Sequence, residues 1–339
     1  MDHQLREYMD LFTGTVKYSY VGQKPAWHKL GDVIGQDSGK SAEMAFDNMS
    51  FGVAKQQAYA IDPATGEFVP VDGWYFTQLI ERGGTGGAYF APVSDGYQVI
   101  QPRELMQLLD VSMNFETPET IGAIHGGRTI FVTYNMDPFD IKGDPHRMYF
   151  SIRDSFGGDG RLTGQVVPFR VVCANTVALT KSYVHVLALS HRGDMRAVLQ
   201  DKLADLVRAS RDDAPKVVGL FERLAAKSLT QKQADEILAE LMPAEEREWK
   251  RESRDRRTIA SRNMIAVLFD GAGQGMDMPS CRGTAFGLVN AAAEFFQHEV
   301  KNLANTHHQK DNGVAVAADS LFGDAAAKVA KLVEMVQVR

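Results

Sequence analysis

Two glycine clusters, each set between runs of β-forming side chains, restrict this chain more than any other feature. Ile121 to His125 and Thr129 to Tyr134 flank Gly126-Gly127. Met148-Tyr149-Phe150-Ser151-Ile152 and Leu162 to Val167 flank Gly157-Gly158-Asp159-Gly160. A β-run closed by a short glycine turn and followed by a second β-run is a hairpin. Consecutive hairpins build an antiparallel sheet, because parallel neighbours need crossovers of a dozen residues or more. Earlier segments fit the same pattern. Phe51 to Ile61 is extended, Asp62-Pro63-Ala64-Thr65-Gly66 has turn chemistry, and Trp74 to Ile80 and Ala88 to Val93 are strands around Gly83-Gly84-Thr85-Gly86-Gly87. Ser41 to Met49 and a segment opened by Pro102 are short helices.

After a last β-like run, Tyr183 to Leu189, the periodicity changes. Met195 to Ala226, Gln231 to Met242, Glu246 to Phe269, Thr284 to Leu303 and Asp319 to Val338 show helical spacing, with Asp270 to Arg282 as a Gly- and Met-rich loop. The fold class is therefore α+β: a mostly antiparallel, hairpin-rich sheet with a few helices over residues 1–190, then a helical region over 191–339.

Charge and cysteine content exclude several functions. The net charge is −6, all of it carried by residues 1–190, so no global positive field draws in nucleic acid and any polyanion site must be local. Cys173 and Cys281 are too few for a disulfide framework or a four-cysteine zinc site. Cys173 lies in an apolar run, where a thiol is inert. The opening Met1-Asp2-His3-Gln4 has no signal-peptide pattern, and no apolar run is long enough to span a bilayer, so a cytoplasmic protein with no membrane partner is expected. The glycine clusters lack the Lys-Ser/Thr and the strand-to-helix context of phosphate loops. His185, His191, His298 and His307-His308 lack a HExxH or facing carboxylates. No catalytic residue, metal or cofactor is assigned.

The remaining chemistry is cationic and aromatic. Arg153, Arg161, Arg170 and Lys181 follow the second hairpin, with Phe156 and Phe169 interleaved and Arg128 beside the first turn. Cations spaced along a surface neutralise phosphates, and flat rings stack on bases, a mixture that suits a single strand. On this reading Arg170 is a surface contact whose charge reversal leaves thermal stability unchanged. A second basic group, Lys250, Arg251, Arg254, Arg256, Arg257 and Arg262, outweighs Glu252 and Asp255, with Arg254 and Arg257 on one helical face; it is a strand contact or simply a solvated face. Trp27-His28 is either a stacking and hydrogen-bonding loop or a plug anchoring that loop, and Tyr97 is a further stacking candidate.

Trp27-His28-Lys29-Leu30-Gly31, Tyr97-Gln98-Val99-Ile100-Gln101-Pro102, Gly126-Gly127-Arg128 and Pro168-Phe169-Arg170-Val171-Val172-Cys173-Ala174-Asn175-Thr176 occur in this order. Arg282-Gly283-Thr284, Asn290-Ala291, Glu294-Phe295-Phe296 and Leu321-Phe322-Gly323 follow. Together they resemble the phage/plasmid-like protein family, domain of unknown function 932. Lys29, Phe286 and Gln297 stand where that family more often has Gly, Trp and an acidic residue. The resemblance implies a mobile-element setting, phage or plasmid, linked to DNA recombination, and the character of the chain is also similar to phage single-strand annealing proteins. The expected function is single-stranded DNA binding and annealing by a homo-oligomeric ring or filament, with host replication or recombination proteins as further candidate partners. Two alternatives remain: a scaffold that binds a host protein through the helical half, and a metal-dependent nuclease using His28 or His185.

Overall fold

The computed structural model describes residues 18–21, 32–34, 41–47, 51–81, 84, 86–124, 127–158, 160–171, 175–177, 179, 182–244, 251–299 and 324–338. The chain forms an antiparallel, strand-rich first half and a helical second half, as the α+β reading requires. It divides into two compact units: Met1–Asn135 with Phe150–Gln165 and Val186–Ser210, and Met136–Tyr149 with Val166–His185 and Arg211–Arg339. The change from strands to helices near residue 190 thus does not coincide with the division into units.

In the first unit β1 (Tyr18–Val21) and β2 (Asp32–Ile34) pair in parallel, while β1 pairs antiparallel with β6 (Thr120–Ile124). β6 and β7 (Thr129–Asn135) form the expected hairpin, in register from Thr120↔Thr133 to Ile124↔Thr129. The sheet continues through β9 (Asp144–Ser155) and β10 (Leu162–Arg170), and β12 (Leu187–Leu189) adds to the start of β10. Only these last three residues of the expected Tyr183–Leu189 run are a strand. A separate three-stranded sheet has the order β3 (Gly52–Ile61), β4 (Phe68–Ile80), β5 (Gly86–Ser94).

Two helices close this unit. In α2 (Pro102–Ser112), Leu105, Met106 and Leu109 are buried at helical spacing. The buried Asp110 carboxylate accepts the Ala42 and Glu43 backbone N–H groups at 2.5 and 3.0 Å, meeting the unpaired donors at the start of α1 (Ala42–Phe46). The first half of α3 (Met195–Ala226) buries Leu199, Leu203 and Leu206, and Leu206 lies over Gly164 of β10.

In the second unit β8 (Phe139–Ile141) pairs with the start of β9, and β11 (Asn175–Thr176) with the end of β10. Around them stand the rest of α3, α4 (Gln231–Leu241), α5 (Arg251–Val267), α6 (Ala285–Glu294) and α7 (Asp324–Val338). A π-helical turn, Leu268–Ala272, follows α5 and another, Phe295–Glu299, follows α6. Every residue of α6 is buried, which makes it the centre of the unit. Phe286 of α6 packs on Phe221 at 5.0 Å and on His146 at 5.5 Å, and Phe139 stacks on His146 at 5.0 Å. Thr230 caps α4 through a reciprocal capping box with Gln233, and Thr284 caps α6 by accepting the Gly287 N–H at 3.0 Å.

Candidate nucleic-acid interface

The turn before β7 and the β9–β10 turn, which carry Arg128 and Arg161, are joined to each other. The Phe156 N–H donates to the Arg128 carbonyl at 2.8 Å, which ties the two turns together. The Arg128 guanidinium lies on Gly157 so closely that a Cβ there would stand 2.6 Å from its Cζ; only glycine lets it lie flat on the backbone. Arg161 is exposed at the far side of the same turn. Arg153, half-buried on β9, donates from Nε to Thr163 Oγ1 of β10 at 3.1 Å.

Arg170 and Phe169 are corrections. The last five residues of β10 are all buried, so neither face of this segment meets solvent and the expected cationic row ends before it. Arg170, 1% exposed, donates from Nε to Asp144 Oδ2 at 2.6 Å. Its terminal nitrogens donate to the carbonyls of Gln274 at 3.0 Å and Gly275 at 2.8 Å. Phe169 packs edge-on against Tyr149 at 6.0 Å. Tyr97 is likewise interior: it stacks on His191 at 4.6 Å and donates its hydroxyl to the Ser155 carbonyl at 3.1 Å. None of these three side chains offers a surface to a strand. Trp27, His28 and Lys181 lie outside the described residues, as does Cys173. Arg254 and Arg257 lie on α5 in the second unit, where Arg257 is exposed.

The stacking surface is on different residues. Alternation along β4 sends Thr77 and Leu79 into the core and Trp74 and Phe76 to the opposite face, with Tyr89 of β5 beside them. Trp74 is 50% and Tyr89 61% exposed, and Phe76 meets Tyr89 edge-on at 6.2 Å. On the inner face Thr77 Oγ1 donates to the Phe156 carbonyl at 2.6 Å, and a Cβ on Gly158 would stand 3.4 Å from the Pro92 carbonyl. The turns that carry Arg128 and Arg161 therefore pack against the inner face of this sheet, opposite the aromatic rings. The clue was present in Trp74-Tyr75-Phe76-Thr77-Gln78-Leu79, where three consecutive rings in a strand leave Trp74 and Phe76 on one face.

Two buried ionisable groups support this part of the first unit. His191 Nε2 lies 3.0 Å from Asp154 Oδ1, and its Nδ1 2.9 Å from the Gln98 carbonyl. Burial lowers its pKa, but the Asp154 hydrogen bond and charge outweigh that and leave it raised. In the second unit, half-exposed His185 sets Nδ1 2.9 and 3.0 Å from the carboxylate oxygens of buried Asp213, which Lys216 Nζ also reaches at 2.9 Å. Among the described residues no group of three or more His, Cys, Asp or Glu stands together as a metal site. The buried Cys281 thiol is pushed up to about 11 by loss of solvent.

The fold defines an α+β protein with an outward aromatic sheet face and arginine-bearing turns packed on the inner face of the same sheet. Residues 90–321 match the family described as Domain of unknown function (DUF932), and the chain belongs to that family. No curated protein and no solved structure matches it. Among the described residues, no helix is long and apolar enough to cross a membrane.

Proposed function

We propose that the protein binds single-stranded nucleic acid along the outer face of the β3–β4–β5 sheet and, as an assembly of copies, anneals single-stranded DNA in a phage or plasmid recombination system in the host cytoplasm. One observation carries this reading: Trp74, Phe76 and Tyr89 face outward on the sheet whose inner face meets the turns bearing Arg128 and Arg161. Bases stack on exposed rings whatever their sequence, while flanking cations hold the backbone. Arg153 supplies a third positive charge on the same hairpin. Copies holding one strand extended would leave its base edges open to a complement.

The test is titration of Trp fluorescence with an oligothymidylate at several salt concentrations. Trp74→Ala and Tyr89→Ala each remove about 1–3 kcal/mol of binding if a base stacks there. Arg161→Glu weakens binding and flattens the salt dependence, whose log–log slope is about 0.7 per neutralised phosphate. Binding unchanged by all three substitutions, or unaffected by salt, refutes the proposal.

A further inference from the structure

Helices α4 and α5 lie side by side in the second unit and leave a groove between them. Gln231, the first residue of α4, donates from Nε2 to the Ala266 carbonyl near the end of α5 at 3.3 Å. Leu238, further along α4, lines the same groove as Ile259, which comes earlier on α5. The helices therefore run antiparallel. One turn on from Gln231 and one turn back from Ala266, Asp235 of α4 stands opposite Arg262 of α5. The groove holds about 470 Å³, within the range of small-molecule sites. Its α5 wall ends on the π-helical turn Leu268–Ala272, an irregularity frequent at functional sites.

Charge selects the ligand. Among the described residues the Asp235 carboxylate accepts only the Gln231 amide, at 3.3 Å, and half-buried Arg262 has no carboxylate within ion-pair reach. One cation facing one anion leaves the groove without net charge. An anion drawn to Arg262 is repelled by Asp235, and a cation drawn to Asp235 is repelled by Arg262. A ligand that carries both signs a few bonds apart satisfies both through charge-assisted hydrogen bonds. The walls ask for something apolar as well. Ile259 is 44% and Val267 55% exposed, and with Leu238 they form an aliphatic lining whose cover by a ligand side chain is favourable.

We infer that the α4–α5 groove binds a free α-amino acid with a large aliphatic side chain. Arg262 holds the α-carboxylate, to which Asn263 beside it adds an amide donor, and Asp235 holds the α-ammonium. The side chain lies on Leu238 and Ile259. The site belongs to the second unit and does not rest on the strand-binding reading, which places its ligand on the first.

Calorimetric titration of the full-length chain with L-leucine and its derivatives tests it. L-leucine binds saturably. N-acetyl-L-leucine, which lacks the ammonium, and L-leucinamide, which lacks the carboxylate, each bind about tenfold or more weakly, because each leaves one charged side chain unanswered. Glycine, with both charges and no side chain, also binds more weakly than leucine. Arg262→Gln lowers leucine to the level of leucinamide, and Asp235→Asn lowers it to the level of N-acetyl-leucine, both with an unchanged circular dichroism spectrum. The ligand series on the wild-type chain decides the matter even if a variant fails to fold. Absence of saturable leucine binding overturns the inference. So does N-acetyl-L-leucinamide binding as tightly as leucine, which would make the groove a reader of peptide backbone, and so do folded variants that bind leucine like the wild type. An oligothymidylate titration that shows no binding removes only the strand-binding reading and leaves the leucine result untouched.

Discussion

Replacing Arg170 by Met isolates the ionic part of the interior around Asp144. Met keeps most of the stem that fills the space and removes the guanidinium. Asp144 is 0% exposed; its Oδ2 accepts Arg170 Nε at 2.6 Å and the Ser280 hydroxyl at 2.7 Å, and its Oδ1 has no hydrogen-bond partner. With Arg170 gone, one hydroxyl is left to offset a buried carboxylate, and the carbonyls of Gln274 and Gly275 lose their guanidinium donors. Removing one member of such a pair costs about 3–5 kcal/mol, a large fraction of the roughly 5–15 kcal/mol that keeps a typical domain folded. Replacing both partners by apolar groups of similar size is often neutral, so Arg170→Met with Asp144→Leu should recover most of the loss. Urea unfolding followed by circular dichroism reads this as a shift in midpoint at constant slope. Arg170→Met within about 1 kcal/mol of wild type would refute the argument, because a buried, unpaired carboxylate cannot be that cheap. The same outcome would return Arg170 to the list of surface contacts.

Two further predictions use neighbouring features. A Cβ on Gly287 of α6 would press on the Cys281 carbonyl, whose carbon would stand 2.9 Å away, whereas on Gly219 of α3 it would meet only the Arg223 side chain at 3.5 Å. Gly219→Ala should therefore stabilise by up to about 1 kcal/mol, while at Gly287 overpacking of about 1–3 kcal/mol exceeds that helix-propensity gain; opposite shifts in urea midpoint confirm this, and shifts of the same sign defeat it. The raised pKa of His191 means that its pairing with Asp154 stabilises fully below the unfolded value of about 6.5, and that this contribution is lost as pH rises through the folded value. His146, whose pKa burial lowers, acts in the opposite sense and loses stability as pH falls, so the comparison must be wild type against His191→Gln. Their difference in unfolding free energy should shrink from pH 6 to pH 9; a difference that is constant or grows shows His191 to be neutral.

The hairpins were legible because their glycine turns are local chemistry, and the helices because their apolar spacing repeats over several turns. β1 and β2 were not: three or four residues each, they pair in parallel, and no turn links partners of that kind. The site divides in the same way. Arg161 is exposed as a charged residue beside a turn should be, whereas the contact of Arg128 with Gly157 joins two turns that sequence spacing does not connect. Arg170 reads in sequence like any strand cation, since its partners stand 26 residues before it and more than 100 after it. Alternation predicts a solvent face only where a sheet has one, and helices and turns cover this end of β10. The aromatic face was written in the period-two spacing of β4, but only the third strand shows which set of rings points outward.

The interleaving of the two units bears on how the chain is made. Strands β9 and β10 and helix α3 each begin in one unit and end in the other. During synthesis the first unit lacks its final helix segment until about residue 210 has left the ribosome, and by then the opening stretches of the second unit are already out, waiting for α4 to α7. So many distant pairings predict slow folding and a long exposure of unfinished strand edges to chaperones. Cutting the gene near codon 190, where strands give way to helices, would yield two fragments that each lack interior pieces of a unit, and only their co-expression offers a route to a folded product.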